Sequence, residues 1–196
     1  MPGVLSPVAY EPIRAWRVLS QQGALPAGFR FPEAATQTFL LGVPLRFVSG
    51  YLQECTFSAA DVVAGISQEH AHNLAVAGTA QDLSEAAPQN QPSGITTPIG
   101  AWIRDGNCGL WAANGQTVFT ASLKAGQTYT AALLVPGTYY ALVKDATSGF
   151  WYIDNGTTAG NAAVCQLLGM DPTSPNDGVN GTRVQFQFKS SQRLFQ

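Results

Sequence analysis

The chain has 196 residues, of which 45% are hydrophobic and only 11% are charged. A typical soluble domain has about 25% charged residues, so much of this surface must be uncharged. The formal net charge of −2 gives no electrostatic basis for binding a nucleic acid backbone. No apolar run reaches the ~18 residues that predict a membrane-spanning helix.

Seven of the ten basic residues are Arg and three are Lys. Protein interfaces are enriched in Arg and depleted in Lys. Together with the low charge, this favours a folded protein whose surface is largely covered by partners. The alternative is a secreted β-protein with a weakly charged surface.

Three cysteines, Cys55, Cys108 and Cys165, are far apart and form no CxxC pair. This odd count predicts neither a disulfide framework nor a zinc site, so we expect three buried thiols. The first residues lack the basic-then-apolar order of a signal peptide. We therefore expect the chain to be made in a cytoplasm.

Residues 1–33 are predicted to form an extended N-terminal arm, because prolines interrupt the segment and oppose a regular β-ladder. Its aromatic side chains require burial, either against another molecule or against the chain's own body, and both alternatives stay open. Ile13, Trp16 and Leu19 could share one face of a short helix before Gly23.

Residues 34–196 are predicted to form a β-rich body. It comprises a first β segment (34–76), a polar loop (77–98) and a second β segment (99–196). The clearest hairpin covers residues 128–144, with its turn at Pro136-Gly137.

Short apolar runs bounded by turn residues predict further strands. In chain order they cover residues 39–41, 43–48, 51–55, 62–66, 99–104, 110–112, 118–123, 150–153 and 162–168. The last strand, 182–189, alternates apolar and polar residues, as a half-buried antiparallel strand requires. The fold class predicted from these elements is mostly β, an antiparallel β-barrel or sandwich with an extended N-terminal arm.

His70 and His72 are the two histidines. On a strand, an H-x-H pair could form half of a metal site, with Glu69 as a further ligand. No obvious remaining ligand is present, so we expect two surface histidines and no metal or other cofactor. No nucleophile elbow, phosphate loop or dinucleotide fingerprint occurs, and we expect no enzymatic activity.

Four aromatic residues, Trp102, Trp111, Trp151 and Tyr152, lie in or beside predicted strands. They could line a sugar-binding face, but core residues of a β domain give the same pattern. We favour the core.

Residues 34–73 contain Phe39, Gly42 and Pro44, then the turn Gly50-Tyr51-Leu52 and the strand Val63-Ala64-Gly65-Ile66. This stretch resembles small structural proteins of tailed bacteriophages, particularly head decoration (cement) proteins. The resemblance implies a compact β-barrel.

The resemblance also implies a virion protein that binds the outside of the capsid and bridges major capsid subunits, as a homodimer or homotrimer. Tyr10, Arg14, Trp16 and Arg17 of the arm are the expected capsid contacts. The alternative function is a carbohydrate- or receptor-binding module of a virion fibre or spike.

Overall fold

The structure is a computed structural model of the chain. It describes residues 10–19, 28–57, 61–74, 77–78, 106–128, 130, 134–156, 158, 163–174 and 182–195. Within these ranges the chain forms eleven β-strands and one 3-10 helix, Ser190–Gln192, and no α-helix. The predicted mostly β, barrel-type fold is confirmed.

The strands follow one another with short connections where these are described. In chain order they are β1 (Arg14–Val18), β2 (Gly28–Pro32), β3 (Pro44–Val48), β4 (Tyr51–Glu54), β5 (Val63–Ser67), β6 (Asn107–Ala112), β7 (Thr117–Leu123), β8 (Tyr139–Lys144), β9 (Trp151–Asp154), β10 (Ala163–Met170) and β11 (Arg183–Phe188).

The first sheet has the strand order β1-β7-β11-β10-β8-β9. Its last strand returns to pair in parallel with β7, with Ser122 opposite Tyr152 and Leu123 opposite Ile153. Strands β7, β11, β10, β8 and β9 therefore close into a five-stranded barrel. One edge of β7 pairs with β11. The other edge pairs with β1 along residues 117–120 and with β9 at residues 122–123.

The second sheet is antiparallel, with the order β2-β6-β5-β3-β4. Its two outer strands approach each other where Glu33 forms an isolated bridge with Leu52. Beside it, the Ala34 N–H donates to the Leu52 carbonyl at 3.0 Å. Between β5 and β6 the backbones are so close that a Cβ on Gly65 would lie 2.1 Å from the Trp111 carbonyl oxygen.

One hydrophobic core runs through both sheets. In the first sheet, Phe119, Phe186 and Phe188 pack with their ring centroids 5.3 to 5.9 Å apart, within the range of favourable aromatic pairs. In the second, Leu45 and Leu52 are fully buried. The two sheets therefore share one cluster of buried hydrophobic residues.

Trp151 of β9 connects the barrel to the second sheet. Its indole Nε1 donates to Glu54 Oε1 at 2.9 Å, and its ring packs edge-on against Phe57 at 5.1 Å. Lys144 Nζ bonds the other Glu54 oxygen at 2.8 Å. A carboxylate at the end of β4 therefore joins two strands of the barrel.

The helix predicted between Pro12 and Gly23 is wrong for its described residues. Residues 14–18 form β1, with a bulge between Ala15 and Arg17. A short isolated helix is only marginally stable in water. Pairing with β7 gives the backbone N–H and C=O groups of residues 14–18 hydrogen-bond partners.

The predicted 128–144 hairpin is also corrected. Its turn is present, since the Thr138 N–H donates to the Val135 carbonyl at 3.1 Å and Gly137 has φ +85°. However, β8 pairs with β9 and β10, so both of its edges are occupied. The described residues between 128 and 135 form no strand.

Strand β11 has the predicted alternation, but it is not half-buried. Val184, Phe186 and Phe188 face the core, and the polar side chains between them are also only 8% exposed. The polar face is covered because the N-terminal segment and the β6–β7 turn lie over it. The predicted residues 39–41 likewise form no strand, although Phe39 is buried.

The three cysteines are free and buried, as expected. Burial raises the pKa of the Cys55 and Cys165 thiols well above its usual value, which keeps both thiols protonated. The strand predicted at 99–104, Trp102 and most of the polar loop 77–98 lie outside the described residues.

Candidate partner-binding surface

Tyr10 packs against the chain's own barrel. Its ring stacks on Tyr152 with centroids 4.6 Å apart and an interplanar angle of 16°. Its hydroxyl oxygen accepts a hydrogen bond from the Ala125 N–H at 3.0 Å. Tyr10 is therefore engaged by the chain's own barrel.

A buried guanidinium fixes the segment that follows. Arg183 Nη1 donates to Glu11 Oε2 at 2.9 Å. Its Nη2 donates to the Pro12 carbonyl at 3.1 Å and to both oxygens of Thr120 at 2.9 and 3.0 Å. Burial lowers the pKa of Arg183, and the carboxylates of Glu11 and Asp171 oppose that shift.

Both described parts of the predicted arm lie on the chain's own body. Residues 14–18 add a strand to β7, residues 28–32 add a strand to β6, and Ile13 is fully buried. Of the two alternatives for the N-terminal segment, burial against the chain's own body is the one that the structure shows for these residues.

Arg14, Trp16 and Arg17 share β1. Both arginines are exposed and the tryptophan is half-buried. Arg14 makes one exposed ion pair, with Glu11 at 3.5 Å, which is worth little in water. No described strand pairs with the outer edge of β1, so this edge can accept an extended partner segment.

A second surface is formed by Phe29, Phe31, Phe47 and Phe195, which we call the phenylalanine patch. Phe31 and Phe47 meet edge to face at 5.0 Å. Phe195 stacks on Phe29 and Phe31 at 6.3 and 6.4 Å. Phe29 is nevertheless 46% exposed.

The patch is an opening of the core to the surface. On β2, Phe29 and Phe31 lie opposite Leu110 and Cys108 of β6, which are both fully buried. Three of the four patch residues pack directly against the core. The tail that carries Phe195 is held in place because the Leu194 N–H donates to the Val63 carbonyl at 3.0 Å.

This surface was not predicted from the sequence. The usable signal was the Phe-x-Phe spacing in a short strand, which places both rings on one side of a sheet. Leu194, the neighbour of Phe195, is also 44% exposed. Exposed apolar clusters of this kind mark interaction sites on soluble proteins.

The expectation of two surface histidines is wrong for His72, which is 4% exposed. Its Nδ1 lies 3.0 Å from Glu33 Oε2, and its backbone N–H donates to both Glu33 oxygens at 3.0 and 3.2 Å. Its Nε2 lies 3.8 Å from Glu69 Oε2. Sequence spacing could not reveal this, because the partner Glu33 is 39 residues away.

Burial alone would lower the pKa of His72, but Glu33 and Glu69 raise it to about 9. For Glu69, hydrogen bonds from His72 and from the Gly109 N–H, with the charge of Arg30, outweigh burial and lower the pKa. Arg30 Nη1 donates to Glu69 Oε1 at 3.1 Å. These four side chains form an ionised brace around β2 and the loop after β5.

The two histidines do not act together. They lie in a loop and not on a strand, and the His70 Nδ1 accepts a hydrogen bond from the Leu41 N–H at 3.3 Å. Burial lowers the pKa of His70. In the described part of the chain, no group of three or more His, Cys, Asp or Glu side chains is placed to hold a metal ion.

Trp151 is a core residue, as favoured from the sequence, because it is only 5% exposed. Trp111 is half-buried and packs against the same core. Tyr152 is covered on one side by Tyr10.

Among the described residues, no helix has the length and apolar character needed to cross a membrane. Comparison of the chain with family models, with curated proteins and with solved structures produced no match.

Proposed function

We propose that this chain is a structural virion protein that binds the outside of a tailed-bacteriophage capsid and stabilises it by bridging major capsid subunits. The observation that carries the proposal is the phenylalanine patch, an aromatic cluster that packs on the core and is partly exposed. Aromatic residues are enriched at the centres of protein interfaces. The resemblance of residues 34–73 to head decoration proteins supports this assignment.

In this proposal the folded body contacts the capsid, and not an extended N-terminal arm. The described residues 14–18 and 28–32 are strands of the body, so in this proposal they dock as part of one rigid unit. The patch supplies apolar contact area, and the exposed edge of β1 with Arg14 and Arg17 supplies backbone and cationic contacts. A rigid body loses little conformational entropy on binding.

The stabilising effect follows from mass action. A protein that binds the assembled shell and not its free subunits shifts the equilibrium toward the shell. Self-association as a homodimer or homotrimer would add avidity, because two or three weak contacts then act on one lattice. Synthesis in the bacterial cytoplasm followed by residence on the capsid surface belongs to the same proposal.

The test is co-sedimentation of the purified protein with capsids of the phage that encodes it, prepared without the protein. The proposal predicts saturable binding and an increased heat tolerance of the loaded shells. A protein that stays in the supernatant at every concentration would contradict it. Free capsid subunits serve as the control and should not retain the protein.

A further inference from the structure

A depression of about 420 Å³ lies where the chain passes between the two sheets, lined by Gly115, Ser190, Ser191 and Arg193. Gly115 belongs to the turn that leads from β6 in the second sheet to β7 in the barrel. The other three residues follow β11, where the chain leaves the barrel and Arg193 forms a bridge with Val63. Depressions of this volume between structural units are common ligand sites.

Arg193 brings an unsatisfied positive group to this depression. Its Nε is buried and makes no hydrogen bond to any described residue. Within the described ranges no carboxylate forms an ion pair with it, whereas Arg46 and Arg183 are both held by carboxylates. A guanidinium without a carboxylate partner can bind an anionic acceptor through its other N–H donors.

The guanidinium is held in place by the turn opposite. A Cβ on Gly115 would lie 2.8 Å from Arg193 Nη1, so the absence of a side chain there makes room for the cation. The Gly115 carbonyl is itself fixed by Gln187 Nε2, which donates to it at 2.9 Å. The charged group is therefore positioned by the fold.

Two hydroxyl donors complete the lining. Ser190 and Ser191 form the first part of the 3-10 helix, and neither hydroxyl bonds to a residue that the structure describes. None of the described residues that line the depression is acidic. A guanidinium beside two hydroxyls recognises the oxygens of a carboxylate or a phosphate, because each supplies N–H or O–H donors to a negatively charged acceptor.

We propose that this depression, the Arg193 pocket, binds a small oxyanion, a carboxylate or a phosphate, through the Arg193 guanidinium and the Ser190 and Ser191 hydroxyls. The inference does not depend on the capsid proposal. It assigns a ligand site to a part of the molecule that neither the phenylalanine patch nor β1 occupies.

The experiment is an NMR titration of the full chain with sodium acetate and, separately, with inorganic phosphate, at constant ionic strength. The reporters are the backbone amides of Gly115 and Ser191 and the Arg193 Nε–H. We expect saturable shifts at these groups, and the anion with the higher affinity identifies the ligand class. Arg193→Gln should weaken binding about tenfold, because it removes the charged donor.

Lys124→Gln is the control that also removes one positive charge, because Lys124 is exposed, pairs with Asp154 and belongs neither to the described lining of the depression nor to the surfaces proposed for capsid binding. It should leave the affinity unchanged. The double variant Ser190→Ala, Ser191→Ala keeps the charge and should also weaken binding, which decides the matter if Arg193→Gln fails to fold. Shifts that do not saturate, or equal affinities in all variants, would overturn the proposal.

Discussion

Glu11 and Arg183 are 172 residues apart in the chain and are joined by a 2.9 Å hydrogen bond between Oε2 and Nη1. The same guanidinium reaches the Pro12 carbonyl and Thr120. Its side chain is only 9% exposed. This contact makes the N-terminal segment a part of the barrel and limits what a partner can touch.

Arg183→Gln should destabilise the protein by about 2 kcal/mol, because the Pro12 carbonyl and the buried Thr120 oxygens lose a charged donor. Glu11, by contrast, is 52% exposed and returns to solvent. The free energy of unfolding is measured by urea titration, and hydrogen exchange at residues 14–18 reports whether β1 detaches. Arg17→Gln, on the exposed face of β1, should change the stability by less than about 0.5 kcal/mol. Wild-type stability in Arg183→Gln would show that Glu11 does not anchor this segment.

His72 makes stability depend on pH. Its pKa is raised from 6.5 to about 9 in the folded protein, so the folded state binds the proton more tightly than the unfolded state. The contribution is fully present below pH 6.5 and is lost as the pH rises through 9. We expect this contribution to the free energy of unfolding to be about 2 kcal/mol. It is smaller than the full pKa shift would give, because solvent near Glu69 screens the His72–Glu69 pair.

The measurement compares the free energy of unfolding of the wild type and His72→Gln from pH 6 to 10. The difference between the two proteins should shrink across this range. His70→Gln is the control, because burial lowers the pKa of His70. Replacing His70 should therefore leave unchanged the loss of unfolding free energy that accompanies a rise in pH. A wild-type to His72→Gln difference that is constant with pH would contradict the ionised brace.

Trp151→Phe should cost about 2 kcal/mol, because Glu54 loses an indole donor that bonds a charged acceptor. The Phe57 contact would largely remain, so the core stays filled. Trp16→Phe is the control: Trp16 is half-buried and makes no described hydrogen bond, and its loss should stay below about 1 kcal/mol. Equal costs for both substitutions in urea unfolding would argue against the Glu54 link between the sheets.

Gly65→Ala should be among the most damaging small substitutions. The added Cβ would lie 2.1 Å from the backbone oxygen of Trp111, and only a shift of β5 against β6 could relieve that clash. We expect a loss of about 3 kcal/mol or more in thermal or urea unfolding. Gly169→Ala, where no atom lies within 4 Å, should be nearly neutral, and similar losses at both sites would disprove this packing.

Many of the strands could be predicted from local patterns in the sequence. The alternation of β11 and the short apolar runs of β3, β4, β7, β9 and β10 are properties of neighbouring residues, and each of those strands is present. The strands that pair with β8 could not be predicted from local sequence. The turn at Pro136-Gly137 suggests residues 128–135 as the partner, whereas β8 pairs with β9 and β10 in the closed barrel. Both edges of a barrel strand are set by distant segments.

The candidate surface was predictable only in part. Arg14, Trp16 and Arg17 were named as capsid contacts because they lie in the predicted arm, and they share β1. The phenylalanine patch joins Phe29 with Phe195, from opposite ends of the chain. No local periodicity links two such positions, so their contact appears only in the folded chain.

The central claim is that the protein binds assembled shells through the phenylalanine patch. The most direct test measures the affinity of Phe29→Ala and Val135→Ala for purified capsids. Val135 is 48% exposed, much like Phe29, but is not among the patch residues. The account predicts binding weakened about tenfold or more for Phe29→Ala, as for an aromatic residue at an interface centre, and wild-type binding for Val135→Ala. Equal affinities for the two variants, or no binding by the wild-type protein, would contradict it.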